Sequence, residues 1–115
     1  MPALNFKKQF APGVRDHSKR QTIRVMRKHP IRTGDTLYLY TGMRTSGCEK
    51  LGEAAAKTVT TIYIDSDVVN VDCETLHPYQ VAELARADGF AGIAEFKAFF
   101  RDTHGLPFTG QLIKW

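Results

Sequence analysis

Ser18-Lys19-Arg20-Gln21-Thr22-Ile23-Arg24-Val25-Met26-Arg27-Lys28 is the stretch that decides how the rest of the chain is read. Five of its eleven residues are Lys or Arg, yet from Gln21 to Met26 the β-branched Thr22, Ile23 and Val25 alternate with polar residues. That period of two marks a half-buried strand, with Ile23 and Val25 on one face and Thr22 and Arg24 on the other. Such a strand would hold cationic groups rigidly. The same pattern also describes a solvated basic edge strand, because Lys and Arg guard sheet edges against aggregation.

Working outward, Leu4-Asn5-Phe6 reads as a short first strand, and residues 9–17 as a short helix or a turn. Pro12 is tolerated only in the first turn of such a helix, and Gly13 weakens it. Downstream, Pro30 and Thr33-Gly34-Asp35 supply a turn. Thr36-Leu37-Tyr38-Leu39-Tyr40-Thr41 is the clearest strand, one face aliphatic and the other aromatic. Its tyrosines are either core, the favoured fate for at least one of them, or a platform for a stacked base worth ~1–3 kcal/mol. Residues 42–52 read as a loop. Val68-Val69-Asn70-Val71 is one more short strand. Pro78 suits the first turn of a helix whose Val81, Leu84 and Ala85 recur at i, i+3 and i+4, with Gly89 as its C′ stop. A second helix spans about residues 92–103, with Ile93, Phe96, Phe99 and Phe100 on one face and Gly105 beyond it. Residues 111–115 form a terminal strand.

A chain of 115 residues is expected to be a single domain, 1–115, burying roughly two thirds of its unfolded surface. No run approaches the ~18 apolar residues of a membrane span, and the first residues lack the apolar region of a signal peptide. A cytoplasmic protein with free thiols at Cys48 and Cys73 is the expectation. His17, His29, His77 and His104 show no HxxxH spacing and the cysteines no CxxC, so no metal and no other cofactor is expected. Charge is unevenly distributed: residues 1–50 hold eleven Lys or Arg against three acids, net +8, and residues 51–115 hold five against nine, net −4. A basic half of this kind is an electrostatic footprint for a polyanion, most plausibly nucleic acid.

Lys19-x-x-Thr22-Ile23-Arg24 resembles the signature strand of the ASCH domain family, small β-barrels similar to PUA domains, some short members of which are N4-acetylcytidine amidohydrolases. Gly34-Asp35-Thr36-Leu37 is similar to that family's Gly-Asp lead into a strand, and Asp88-Gly89-Phe90 to its acidic-Gly-Phe turn. The likeness runs from about Phe6 to Trp115. It implies an α+β domain, a small mixed, mostly antiparallel β-barrel with flanking helices. It also favours strand over residues 51–64, where Glu53-Ala-Ala-Ala-Lys57 has helical propensity and Thr58–Ile64 is strongly β.

If the chain is an enzyme, its candidates are Lys19, Thr22 and Asp88. Thr22 would be the nucleophile or would position water, and needs a neighbouring base. Lys19 qualifies only if its pKa falls well below ~10.4, which Arg20, Arg24 and burial would all promote. The resemblance assigns the acid to Asp88, where the amidohydrolases carry Glu. Residues 19 and 22 are an odd number apart, so both line one pocket only if Lys19 sits in a turn before the strand or a bulge intervenes. Arg24 would bind a phosphate or a carbonyl oxygen. Arg20, Arg27, Lys28 and Arg32 suit phosphate contacts that carry no sequence information, and Arg44 is either a further phosphate contact or, the favoured reading of its loop, simply solvated. The leading expectation is binding of RNA or a modified nucleoside or nucleotide, in a cleft between the barrel mouth and the 78–89 helix. The alternative is an amidohydrolase acting on N4-acylated cytidine through Lys19, Thr22 and Asp88. A protein-interaction module that handles no nucleic acid is the third reading.

Overall fold

The structure, a computed structural model, describes residues 2–115. Eight strands and three helices follow one another as β1 (Ala3–Phe6), α1 (Ala11–Arg15), β2 (Gln21–Val25), β3 (Thr36–Thr41), β4 (Glu49–Ala55), β5 (Thr58–Ile64), β6 (Val69–Val71), β7 (Glu74–Thr75), α2 (Pro78–Ala87), α3 (Ile93–Thr103) and β8 (Phe108–Lys114). The fold is α+β, with the strands in two mostly antiparallel sheets. One has the order β1-β3-β4 and the other β2-β8-β5-β6-β7. Only β1 and β3 pair in parallel among the described strands.

The hydrogen-bonded ladders of the described residues stay separate and do not close into one barrel. β1 edges one sheet and β2 edges the other. The chain passes between the sheets at Ala56-Lys57. Ala56 exchanges hydrogen bonds with Gly34 and Asp35 beside β3, while the Lys57 amide donates to the Lys114 carbonyl of β8. Ala56 is buried at this crossing. The helical propensity of residues 53–57 is overridden there. Ala54 and Ala55 pair with Leu37 and Thr36, and ladder bonds outweigh an isolated i,i+4 pair worth only ~0.2–0.5 kcal/mol.

The core is built where the alternation predicts it. Leu37 and Leu39 of β3 are buried, as are Ile62, Ile64 and Val69 of β5 and β6, and Leu112 and Ile113 of β8. Val81, Leu84 and Ala85 form the inner face of α2, and Phe96 and Phe100 that of α3. Four details depart from the sequence reading. The tyrosines of β3 are half-buried and not core, because the two leucines fill the interior from the other face. Residues 49–52 belong to β4 and not to a loop, with a bulge that inserts Leu51 opposite Leu39 and Tyr40. Val25 is exposed although Ile23 is buried, because it is the last residue of β2, which edges its sheet. The two-residue β7 went unpredicted.

Candidate functional site

Lys19 precedes β2 and does not belong to it. The Lys19 amide donates to the Gly13 carbonyl, the Ser18 amide donates to the Asp16 carboxylate, and His17 has a φ of 69°. This turn is what releases Lys19 from strand alternation. Asp88 arrives from the far end of the sequence as the C-cap of α2. The Gly89 amide donates to Arg86 O and the Phe90 amide to Ala85 O, the Schellman arrangement. Gly89 takes the left-handed conformation this motif needs, φ 101°.

The two ends meet in the interior. Lys19 Nζ donates to the Asp88 carbonyl oxygen and stands 3.3 Å from Asp88 Oδ1, with both side chains more than nine-tenths buried. Gln21 Nε2 donates to the Leu84 carbonyl at 3.2 Å and to Asp88 Oδ1 at 3.3 Å. Lys19 Nζ also lies 5.0 Å from the centre of the Phe10 ring. Burial is the largest influence on both charges. It pushes the Lys19 ammonium below its ordinary pKa and the Asp88 carboxyl above its own, and their mutual attraction and the Gln21 amide oppose it. Arg24 contributes only a minor lowering at Lys19, and Arg20 has no part in it.

Thr22 and Arg24 occupy one face of β2, and Arg24 Nε donates to Thr22 Oγ1 at 2.9 Å. The guanidinium lies 4.7 Å over the Phe6 ring. Burial lowers the Arg24 pKa to about 10, with the attraction of Asp88 opposing and the repulsion of Arg27 adding.

Lys19, Thr22, Arg24 and Asp88 all line one cavity of about 380 Å³. It opens at the seam between the free edges of β1 and β2, with Phe6, Phe10, Phe99 and Phe100 as its apolar walls. The cleft expected against the 78–89 helix is therefore closed mainly by α3. α2 supplies only its capping residue, because Val81, Leu84 and Ala85 turn its apolar face into the core.

Among the expected phosphate contacts, Arg24 and Arg27 line the cavity, and Arg27 Nη2 donates to the Ala3 carbonyl at 2.9 Å. Arg20, Lys28, Arg32 and Arg44 are exposed and lie away from it. Arg20 Nε reaches the His17 carbonyl, the Arg32 amide donates to Asp35, and Arg44 sits in a left-handed turn. Tyr38 and Tyr40 are likewise remote from the cavity.

Sequence reasoning missed Lys7, Gln21 and His104. Lys7 Nζ lies 4.9 Å over Phe99, and His104 packs against Phe100 and Phe108. Gln21 sits two residues from Lys19, but with Lys19 outside the strand no alternation ties the two together. Nothing local marked Lys7 or His104.

No protein-family model, no curated protein and no solved structure matches this chain. Among the described residues, no helix is long and apolar enough to cross a membrane. Cys48 and Cys73 are free and exposed.

Proposed function

We propose that the cavity binds a modified nucleoside and hydrolyses an acyl group from the N4 amine of its cytosine base. The observation that supports this most is the convergence of Lys19, Thr22 and Asp88 on one aromatic-walled cavity. About 380 Å³ falls at the lower end of the ~300–1,000 Å³ typical of small-molecule sites, the right scale for one nucleoside. The likeness of Lys19-x-x-Thr22-Ile23-Arg24 to the ASCH strand agrees with this reading. We take the two sheets as a PUA-like barrel laid open at the β1/β2 seam. Asp88 is shorter than the Glu of the amidohydrolases, but it holds Lys19 through its backbone carbonyl as well as its carboxylate.

The chemistry follows from a buried ion pair that one proton transfer from Lys19 to Asp88 converts to its neutral forms, the direction in which burial pushes both groups. Neutral Lys19 accepts the Thr22 proton as Thr22 Oγ attacks the acyl carbon. The Arg24 guanidinium, fixed by Thr22 and Phe6, is placed to stabilise the negative oxygen that forms. Protonated Asp88 delivers its proton to the departing N4 amine as the C–N bond breaks. Water then attacks the threonyl ester and gives its proton to Asp88. Lys19 returns its own proton to Thr22 as the acid leaves, which restores the starting state.

A strand-binding role draws less support, because Arg20, Lys28, Arg32 and Arg44 do not line the cavity. Incubation with N4-acetylcytidine and chromatography of the products tests the proposal. Cytidine and acetate should appear and should disappear with Lys19→Met. Unchanged nucleoside, or equal turnover by that variant, would refute it. Binding can be followed separately through Trp115, the chain's one tryptophan, whose ring packs edge-on to Phe6 at 6.0 Å.

A further inference from the structure

The cavity carries more positive charge than the reaction uses. Lys19 is neutralised by Asp88, the one acid in the lining. Lys7, Arg24 and Arg27 also line it, and among the described residues none of the three has a carboxylate within salt-bridge distance. The two arginines stand close enough to feel one another. Arg27 acts on Arg24, and Lys7 and Arg24 both act on His104, whose pKa burial lowers first and these cations lower further. Three cations of one sign around a concave, aromatic-walled site repel each other unless an anion joins them. Outside the cavity Arg15 pairs with Glu49, Lys50 with Glu53 and Arg101 with Asp102, and other basic residues, such as Arg20, Lys28 and Arg32, are exposed to solvent and do not line the cavity.

We infer that the ligand of this cavity is a nucleoside monophosphate and not a neutral nucleoside, its phosphate held at the seam by Lys7 and Arg27 while Arg24 stays beside Thr22 at the acyl group. This rests on the nucleoside reading above and narrows it. Lys7 follows the last residue of β1, and Arg27 is tied to the first residue of the same strand through the Ala3 carbonyl. The two cations therefore flank the mouth. Arg27 spends Nη2 on that carbonyl and keeps its other donors for an anion. The cavity's size suits one nucleotide and leaves no room for a strand.

Calorimetric titration of wild type, Lys7→Ala and Arg27→Gln with N4-acetylcytidine and with its 5′-monophosphate tests the inference, at about 50 and about 200 mM salt. The monophosphate should bind about tenfold or more tightly than the nucleoside. That advantage should shrink at the higher salt and fall several-fold in each variant. Circular dichroism checks that Arg27→Gln, which loses the Ala3 contact, remains folded, and Lys7→Ala carries the test if it does not. Equal affinity for the two ligands in wild type overturns the phosphate site and leaves the nucleoside reading standing. Binding of the monophosphate alone, with no turnover of either compound, upholds the anion site and sinks the hydrolase. Binding of neither overturns both. A 5′-phosphorylated trinucleotide that binds more tightly than the monophosphate overturns the mononucleotide assignment in favour of a strand.

Discussion

Lys19 and Asp88, sixty-nine positions apart, bury a charged pair 3.3 Å across. Removing one member leaves the other without compensation in a poorly solvated place. Asp88→Ala should therefore destabilise the fold by about 3–5 kcal/mol, whereas Lys19→Met/Asp88→Leu together should cost far less or nothing. Chemical denaturation of the three proteins decides this. Equal losses in the single and double variants would show that the pair is not coupled in the way its geometry indicates.

Stability should respond to pH in an unusual direction at Asp88. Burial raises its native pKa above 3.8, so between 3.8 and the raised value the native chain holds a proton the unfolded chain has released. Stability contributed by this residue thus falls as pH rises through that window, opposite to a salt-bridged surface carboxylate. Lys19 acts in the reverse sense, adding stability as pH rises from its lowered native value toward 10.5. Unfolding curves for wild type and Asp88→Asn, collected from about pH 4 upward, should converge as pH rises on the acid limb. A gap that widens in favour of wild type contradicts the assignment.

Thr22→Val preserves shape but removes the hydroxyl. Arg24 Nε then loses its 2.9 Å acceptor, at a cost of about 1 kcal/mol in a half-buried place. Turnover of N4-acetylcytidine should fall by about 10²-fold or more, while Thr22→Ser keeps a measurable fraction. A valine variant as active as wild type would remove Thr22 from the chemistry and leave water as the direct nucleophile.

Gly110 faces β2 across the ladder, and a Cβ there would lie 2.1 Å from the Arg24 carbonyl oxygen and 2.8 Å from the Phe108 ring. Gly110→Ala must push β2 away from β8 or move Phe108. A loss of about 3 kcal/mol or more is expected, with the Arg24 side of the cavity displaced. Thermal unfolding close to that of wild type would show that this edge strand yields easily.

Gly89→Ala meets two obstacles at once: a left-handed φ of 101° and a Cβ 2.8 Å from Phe10 Cδ1. The backbone cost alone is about 1 kcal/mol. Phe10→Leu should recover part of the steric loss, giving a coupling of about 0.5–3 kcal/mol in a double-mutant cycle. Additive losses would mean that the two positions do not touch.

Much of this arrangement was legible from local pattern. Strands 36–41 and 58–64 and both longer helices follow from alternation, Pro78, Gly89 and Gly105. The turn that carries Lys19 was one of two ways to reconcile positions 19 and 22, and Gly13 and His17 supply it. What could not be read was which helix would wall the cavity. The apolar faces of α2 and α3 look equally suited in sequence, and only packing directs Val81 and Leu84 inward while Phe99 and Thr103 reach the seam. Lys7 and His104 were invisible for the same reason, since their roles depend on β1 and α3 meeting across a gap that no periodicity encodes. The charge count of residues 1–50 was correct but misleading about place. Of its cations, Lys7, Lys19, Arg24 and Arg27 share the cavity and the others are dispersed.

The opening between β1 and β2 is bordered by strands from different ladders, so no backbone bond ties one bank to the other there. Whatever lodges in it acts as a rivet through two plates. A bound molecule should tighten the whole domain, slowing amide exchange in β1 and β2 together, and an empty cavity should leave these two borders the first to part.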